Sequence, residues 1–220
     1  MSRGIILLSG GLDSLVSLGL AKDTYNIELA LTFDYGQKSV KSEINASSKI
    51  CKYYNIEHKI IKLDWLKDVT HTALVVGDLP QGVQEKSDSV WVPNRNGLFL
   101  NVAAAFADGE GYDCIIIGAN KEEGETFPDN TSEFIERVNK AFAYSTKVGV
   151  KVVAPLINSD KNDIVKQAIE HNIPLKFVHS CYDNNEKNCG ICESCTRLKN
   201  ALIANGADEL LKELYENNIG

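Results

Sequence analysis

The stretch that most constrains this chain is Ser9-Gly10-Gly11-Leu12-Asp13-Ser14. The apolar run Gly4-Ile5-Ile6-Leu7-Leu8 before it reads as a buried strand, and Leu12, Leu15, Val16, Gly19 and Leu20 after it repeat at the spacing of a helix face. A strand that turns through paired glycines into a helix is a place to hold phosphate. Glycine lets the backbone close on an anion, and the first N–H groups of a helix lack internal acceptors and sit at the positive end of its dipole. Ser9 and Ser14 add hydroxyl donors, and Asp13 offers a carboxylate to the divalent cation that accompanies nucleotide phosphates. Leu8 to Ser14 is therefore read as an ATP-binding turn. A polar-capped strand-to-helix turn is the plain alternative, but the whole string is more specific than a glycine pair. The spaced glycines and Gly-Lys-Ser/Thr ending of a P-loop are missing.

Strand and helix patterns then alternate. Residues 27–33, 57–63, 114–118 and 150–154 read as further strands, which predicts an α/β fold with a five-stranded parallel Rossmann-like sheet covered on both faces. Ligands bind such sheets beyond the carboxyl ends of the strands. Val40, Ile44, Ser47, Cys51 and Tyr54 form one buried helix stripe, and Leu98, Phe99, Val102, Ala103 and Phe106 another. Cys51 and Cys114 are expected in the core, and His58 at the surface. Residues 64–92 lack periodicity and are expected to form a long loop of lid or binding type. A second polar loop spans Ala119 to Asp129, and Asn130 with Glu133 is expected to cap the next helix, whose buried face is Phe134, Ile135, Val138 and Phe142.

Composition narrows the function classes. The net charge of −7 argues against a nucleic-acid footprint, and the lysines from Lys38 to Lys67 alternate with acids as on a solvated helix face. No run of apolar residues is long enough to span a bilayer and no signal peptide is seen, so a cytoplasmic protein is the default expectation. The 220 residues allow a nucleotide-binding domain over 1–155 and a small helical region over 156–220.

That second region has two chemical features. Pro155-Leu156 leads to Lys161 at the start of a helix with apolar face Ile164, Val165, Ala168 and Ile169. A cation there opposes the helix dipole, so Lys161 is either a solvent-facing lysine or one aimed at nucleotide phosphates. Cys181, Cys189, Cys192 and Cys195 follow as C-x7-C-x2-C-x2-C. Without an export signal a disulfide is disfavoured, and four thiolates at knuckle spacing suit structural zinc, an iron–sulfur cluster being the competing reading. Gly190 permits the tight turn, Arg197 is a candidate to screen thiolate charge, and metal binding would staple residues 176–199 with on the order of 10 kcal/mol.

The Ser9–Ser14 string resembles the pyrophosphate loop of the N-type ATP pyrophosphatases, and Pro155-Leu156 followed by Lys161 is similar to their second motif. Over nearly the whole chain the resemblance narrows to the 7-cyano-7-deazaguanine synthase family. It is carried by Phe33-Asp34-Tyr35-Gly36-Gln37, Val92-Pro93-Asn94-Arg95-Asn96, Pro128-Asp129, Glu133-Phe134, Ser180-Cys181-Tyr182 and Cys189 to Arg197. It implies the adenine nucleotide α-hydrolase-like variety of the sheet, a structural Zn²⁺, and Mg²⁺ with ATP. It also implies conversion of a 7-carboxy-7-deazaguanine base with ammonia and ATP into the 7-cyano base used for queuosine or archaeosine, by small-molecule chemistry without nucleic acid or membrane. A homodimer is compatible with it.

Catalytic roles fall to Asp13 and Lys161. Substrate contacts fall to Asn94, Arg95 and Asn96, for which a helix cap with Arg95 in solvent is the plain alternative. The chain departs from the family at Lys38-Ser39, where Arg-His is usual, and at Thr126 to Thr131, where an arginine is missing; it is similar in this to the variant met in archaea. A tRNA thiolase, which wants a reactive cysteine and a basic surface, and a non-catalytic zinc and nucleotide-binding module are the alternatives.

Overall fold

The computed structural model describes residues 1–82 and 88–215. Residues 83–87 of the expected long loop and 216–220 of the expected C-terminal region lie outside the described residues. The elements are β1 (Arg3–Leu7), α1 (Leu12–Ala21), β2 (Asn26–Asp34), α2 (Val40–Tyr54), β3 (Glu57–Lys62), α3 (Arg95–Glu110), β4 (Cys114–Ile116), α4 (Lys121–Gly124), α5 (Ser132–Ser145), β5 (Lys151–Val153), α6 (Lys161–Glu170), α7 (Glu193–Ala204) and α8 (Glu209–Leu214). All five strands are parallel, in the order β3-β2-β1-β4-β5. The chain runs outward from β1 to β3, then returns to add β4 on the other side. The strand order therefore reverses at β1, and the loops after β1 and β4 part there to leave a crevice.

Alternation along β1 sorts the core into two layers. Ile6 and Leu8 face one side and Ile5 and Leu7 the other, since successive strand side chains point to opposite faces. The first layer gathers α1, Ile50 and Cys51 of α2, Ile164, Val165 and Ala168 of α6, and Leu198 and Leu202 of α7. The second gathers Leu100, Ala103, Ala104 and Ala107 of α3 with Ile135 and Phe142 of α5. The C-terminal helices thus share the core layer of α1.

Periodicity located the helices better than their buried faces. The buried line of α2 runs through Ala46, Ser47, Ile50 and Cys51, while Val40, Ile44 and Tyr54 are half-buried. In α3 small residues face the sheet, and Leu98, Phe99, Val102 and Phe106 are only partly covered. Ile169 of α6 is 45% exposed. The cap of α5 is Thr131, whose Oγ1 accepts from Phe134 N at 3.1 Å; Asn130 is buried one residue earlier, and Glu133 pairs with Arg137. The polar loop 119–129 contains the short helix α4, capped by Asn120 Oδ1. The long connection includes a 3-10 turn over Asp64–Val69 and buries Leu66 and Leu74. It is tied to the cysteine segment by Gly82 N to Ile191 O (2.9 Å) and Glu193 N to Pro80 O (3.2 Å).

Gly118, just past β4, shows how tightly the crevice is built. A Cβ there would stand 2.9 Å from the backbone of Asp13 and Ser14. Gly118→Ala is expected to lower stability by about 1–3 kcal/mol, as overpacking does. Gly109→Ala in α3, where a Cβ meets nothing within 4 Å, is expected to raise it by about 1 kcal/mol. Urea unfolding of the two variants side by side checks both signs.

Candidate active site and cysteine cluster

A cavity of about 290 Å³ opens at the β1/β4 crevice. Ser9, Gly11, Leu12, Asp13 and Ser14 line one end of it. Gly10 lies beneath them at φ +78°, where a Cβ would stand 2.6 Å from Ala46 of α2. Leu8 anchors the entry to the turn: its N–H reaches Leu31 O at 2.9 Å, and its carbonyl accepts from Thr32 Oγ1 (2.6 Å) and Ser47 Oγ (3.1 Å). Half-buried His58, bonded to Thr32 Oγ1 and Ser48 Oγ, braces the same corner. Ser14 Oγ donates to Gly11 O at 3.1 Å and contacts Ser9 Oγ at 3.2 Å. These bonds fix the turn at the amino end of α1, whose first N–H groups have no acceptor inside the helix.

Lys161 enters from α6, capped by the Asp160–Asp163 capping box. Its Nζ meets Asp13 Oδ2 at 2.6 Å, 148 residues away in sequence, and Glu123 Oε1 at 3.3 Å. Burial opposes the lysine's charge, but Asp13 and Glu123 outweigh it, so Lys161 titrates above its ordinary value and is cationic. Burial pushes the Asp13 carboxyl up, with Lys161 pulling against it. Glu123 is also pushed up by burial, yet Lys161 and then Arg95 overcome this and leave it lowered. Asp13 Oδ1 is buried and has no hydrogen-bond partner among the described residues.

The sequence reading named the acids of this loop without a role and missed their partner. Glu122 Oε1 accepts from Lys161 N at 3.0 Å, and its Oε2 pairs with Arg197 at 2.8 Å. Arg197 also pairs with Glu193 at 2.8 Å, so its charge is spent on carboxylates and not on the thiols.

Arg95 and Asn96 also line the cavity wall, while Asn94 does not. Asn94 is exposed at the cap of α3 with φ +52°, its side chain over Gly97. Asn96 is buried, and its N–H and Nδ2 bond Asp129 Oδ2 and O at 3.0 Å each, which fastens α3 to the 128–130 turn. Arg95 is half-buried, with Nη1 3.5 Å from Tyr35 Oη.

The four cysteines converge, their sulfur atoms all within 4.8 Å of one another. Cys189 and Cys195 sulfurs are 3.8 Å apart, close to the about 3.8 Å that Zn–S bonds of 2.3 Å give across a tetrahedron. Gly190 takes φ +77° to make the turn. The cluster could hold a metal. Hydrogen bonding among the thiols draws Cys192 down and pushes Cys195 up, with Cys181 the main partner of each. Cys51 and Cys114 are different: both are buried, and burial pushes their thiols up to about 12 and about 11.

The cluster is wired to the nucleotide-type turn. Buried Asn188 accepts from Ser180 N (2.9 Å) and Cys181 N (3.1 Å), and donates to Val178 O (3.3 Å) and Leu214 O (3.1 Å). The segment so held gives His179 N to Gly10 O at 2.9 Å and accepts Leu12 N on Ser180 Oγ at 3.4 Å. Asn188→Ala strands several buried backbone groups and is expected to cost about 3 kcal/mol. Stability equal to the parent in urea unfolding would show the side chain to be idle.

Residues 3–206 match the family described as "Queuosine biosynthesis protein QueC". The chain is 46% identical to the 7-cyano-7-deazaguanine synthase of Methanosarcina mazei, over 96% of this chain and 99% of that protein. It is also 46% identical to the enzyme of that name from Carboxydothermus hydrogenoformans, over 91% and 98%. A solved structure titled as a predicted subunit of tRNA methyltransferase from Methanocaldococcus jannaschii has the same fold, with a TM-score of 0.50 at 15% identity over 100% of this chain and 94% of that one.

Proposed function

Because the chain belongs to the QueC family of queuosine biosynthesis proteins, we propose that it is an ATP-dependent carbon–nitrogen ligase. It converts 7-carboxy-7-deazaguanine and ammonia to 7-cyano-7-deazaguanine, with release of AMP and pyrophosphate, for queuosine or archaeosine synthesis. The observation that carries the ATP site is the meeting of Asp13 and Lys161 at 2.6 Å beside the Ser9–Ser14 turn, where the strand order reverses.

The chemistry follows from the problem. A carboxylate cannot lose an oxide, so its oxygen attacks the α-phosphate of ATP and pyrophosphate leaves. Ammonia displaces AMP to give the amide; the amide oxygen attacks the α-phosphate of a second ATP with departure of pyrophosphate, and loss of AMP and protons leaves the nitrile. Each transfer requires phosphate charge to be neutralised and reactants to be aligned. The α1 amino end and Lys161 supply fixed positive potential. Asp13 Oδ1, buried without a partner, suits the Mg²⁺ that arrives with the nucleotide. Arg95 is the fork for the substrate carboxylate, and Asn96 fixes the wall beside it. No step needs a cysteine nucleophile. The two cysteines outside the cluster are buried with raised thiols, which disfavours the thiolase reading.

Incubation with Mg-ATP, ammonium and the carboxy base, read by mass spectrometry, is expected to show the nitrile and AMP. Asp13→Asn is expected to lose on the order of 100- to 1000-fold in turnover while its fold and metal content persist. Near-parental turnover would remove Asp13 from the chemistry.

The cysteine cluster is assigned a structural Zn²⁺, for which four sulfur ligands close the shell and leave no open catalytic position. Elemental analysis is expected to give one zinc per chain. Iron with labile sulfide, or an active metal-free preparation, would overturn the assignment.

A further inference from the structure

Most of the charges that line the cavity fall into two clusters, each of two acids on one cation. Asp13 and Glu123 face Lys161, and Glu122 and Glu193 face Arg197. Two groups are left over among the described residues. Glu43 of α2 accepts only from neutral donors, Ser39 Oγ at 2.5 Å and Gln37 Nε2 at 3.0 Å, and each oxygen keeps further acceptor capacity. Arg95 has Tyr35 Oη at 3.5 Å and no carboxylate of a described residue within ion-pair distance. These opposite charges line one cavity without pairing with each other. Between the strands and α3, Phe33 and Phe99 stack at 3.9 Å and 4°, with Tyr35 tilted beside them and Leu74 also in the wall, so this part of the cavity is flat and apolar.

A ligand that satisfies both charges at once is a flat heterocycle with an anion on one side and two parallel N–H donors on another. The base of the proposed reaction has that form, and this inference rests on that reading. Its pyrimidine half offers a ring N–H and an adjacent amino group, and a carboxylate can accept both. We infer that Glu43 reads this donor edge of the base, held in place by Ser39 and Gln37, while Arg95 takes the carboxylate that will react. Glu43 is then the residue that selects a 2-amino-substituted ring.

The test compares the carboxy base with its 2-deamino analogue in the parent, Glu43→Gln and Glu43→Asp enzymes, with zinc content and melting temperature as folding controls. In the parent, kcat/KM is expected to favour the amino base by about 10- to 100-fold, the range for a hydrogen bond to a charged group. Glu43→Gln is expected to raise KM for the amino base by a similar factor, to erase the preference, and to leave KM for ATP and ammonium within about twofold. Glu43→Asp is expected to keep part of the preference. Equal losses on both bases would mark Glu43 as merely structural, and a rise confined to the KM for ammonium would make it an ammonium site; either result overturns the inference. So does unchanged discrimination in a folded variant. A parent enzyme that forms no nitrile from the amino base overturns the proposed reaction and this inference together, whereas nitrile formation with unaltered discrimination overturns this inference alone.

Discussion

Gly10 is pressed from two sides, and the rest of the site depends on that pressure. A Cβ at this residue would strike Ala46 at 2.6 Å and come within 3.1–3.2 Å of the α2 backbone at Ser47 and Glu43, while its own carbonyl receives His179 N at 2.9 Å. Only a residue without a side chain, at a φ of +78°, lets α2 and the segment before the cysteines close on the same turn. The contact brings three parts of the chain into one geometry: the turn with its helix amino end, α2 with Glu43, and the cysteine-held segment of residues 178–181. Each alone is an ordinary element.

The local electrostatics carry the sign of the overall charge. A protein of net charge −7 has no obvious attraction for a polyanion. Inside the cavity, Lys161 is shared by Asp13 and Glu123, and Arg197 by Glu122 and Glu193. The amino end of α1 adds the partial positive charge of its backbone N–H groups, which costs no desolvated cation to maintain. Four carboxylates on two cations leave this side acidic, so a phosphate there relies on those N–H donors, on Lys161 and on the divalent cation that arrives with it.

Strands and the turn were legible in the sequence because they follow from local rules: short β-branched runs, a glycine pair, and a cysteine spacing that only a compact turn can satisfy. The five strands lie where the apolar runs are, within one or two residues at each end. Helix faces were read less well. Periodicity says which residues share a side, but which side is covered most is decided by neighbours, so Leu100, Ala104 and Ala107 join the expected Ala103 in the buried line of α3, while Leu98, Val102 and Phe106 pack at its margin, partly covered. The Glu122–Arg197 pair was illegible for a plainer reason: two charged residues 75 positions apart carry no local signal of their meeting. Thr131 took the cap expected of Asn130 because Asn130 was drawn into the buried turn with Asp129.

The order in which the chain leaves the ribosome gives the contact between residues 178–181 and the Gly10 turn another meaning. Residues 9–14 are made early, but the groups that close over them, His179 and Ser180, are held by Asn188 and the cysteines up to Cys195. Synthesis proceeds from the amino end, with domains folding as they emerge. During the intervening stretch the turn lacks the bonds to Gly10 O and Leu12 N, and α1 lacks α6 and α7 over its outer face. Arrested or prematurely terminated chains therefore carry the glycine turn but not its finished form, so the architecture itself withholds the complete site from incomplete protein.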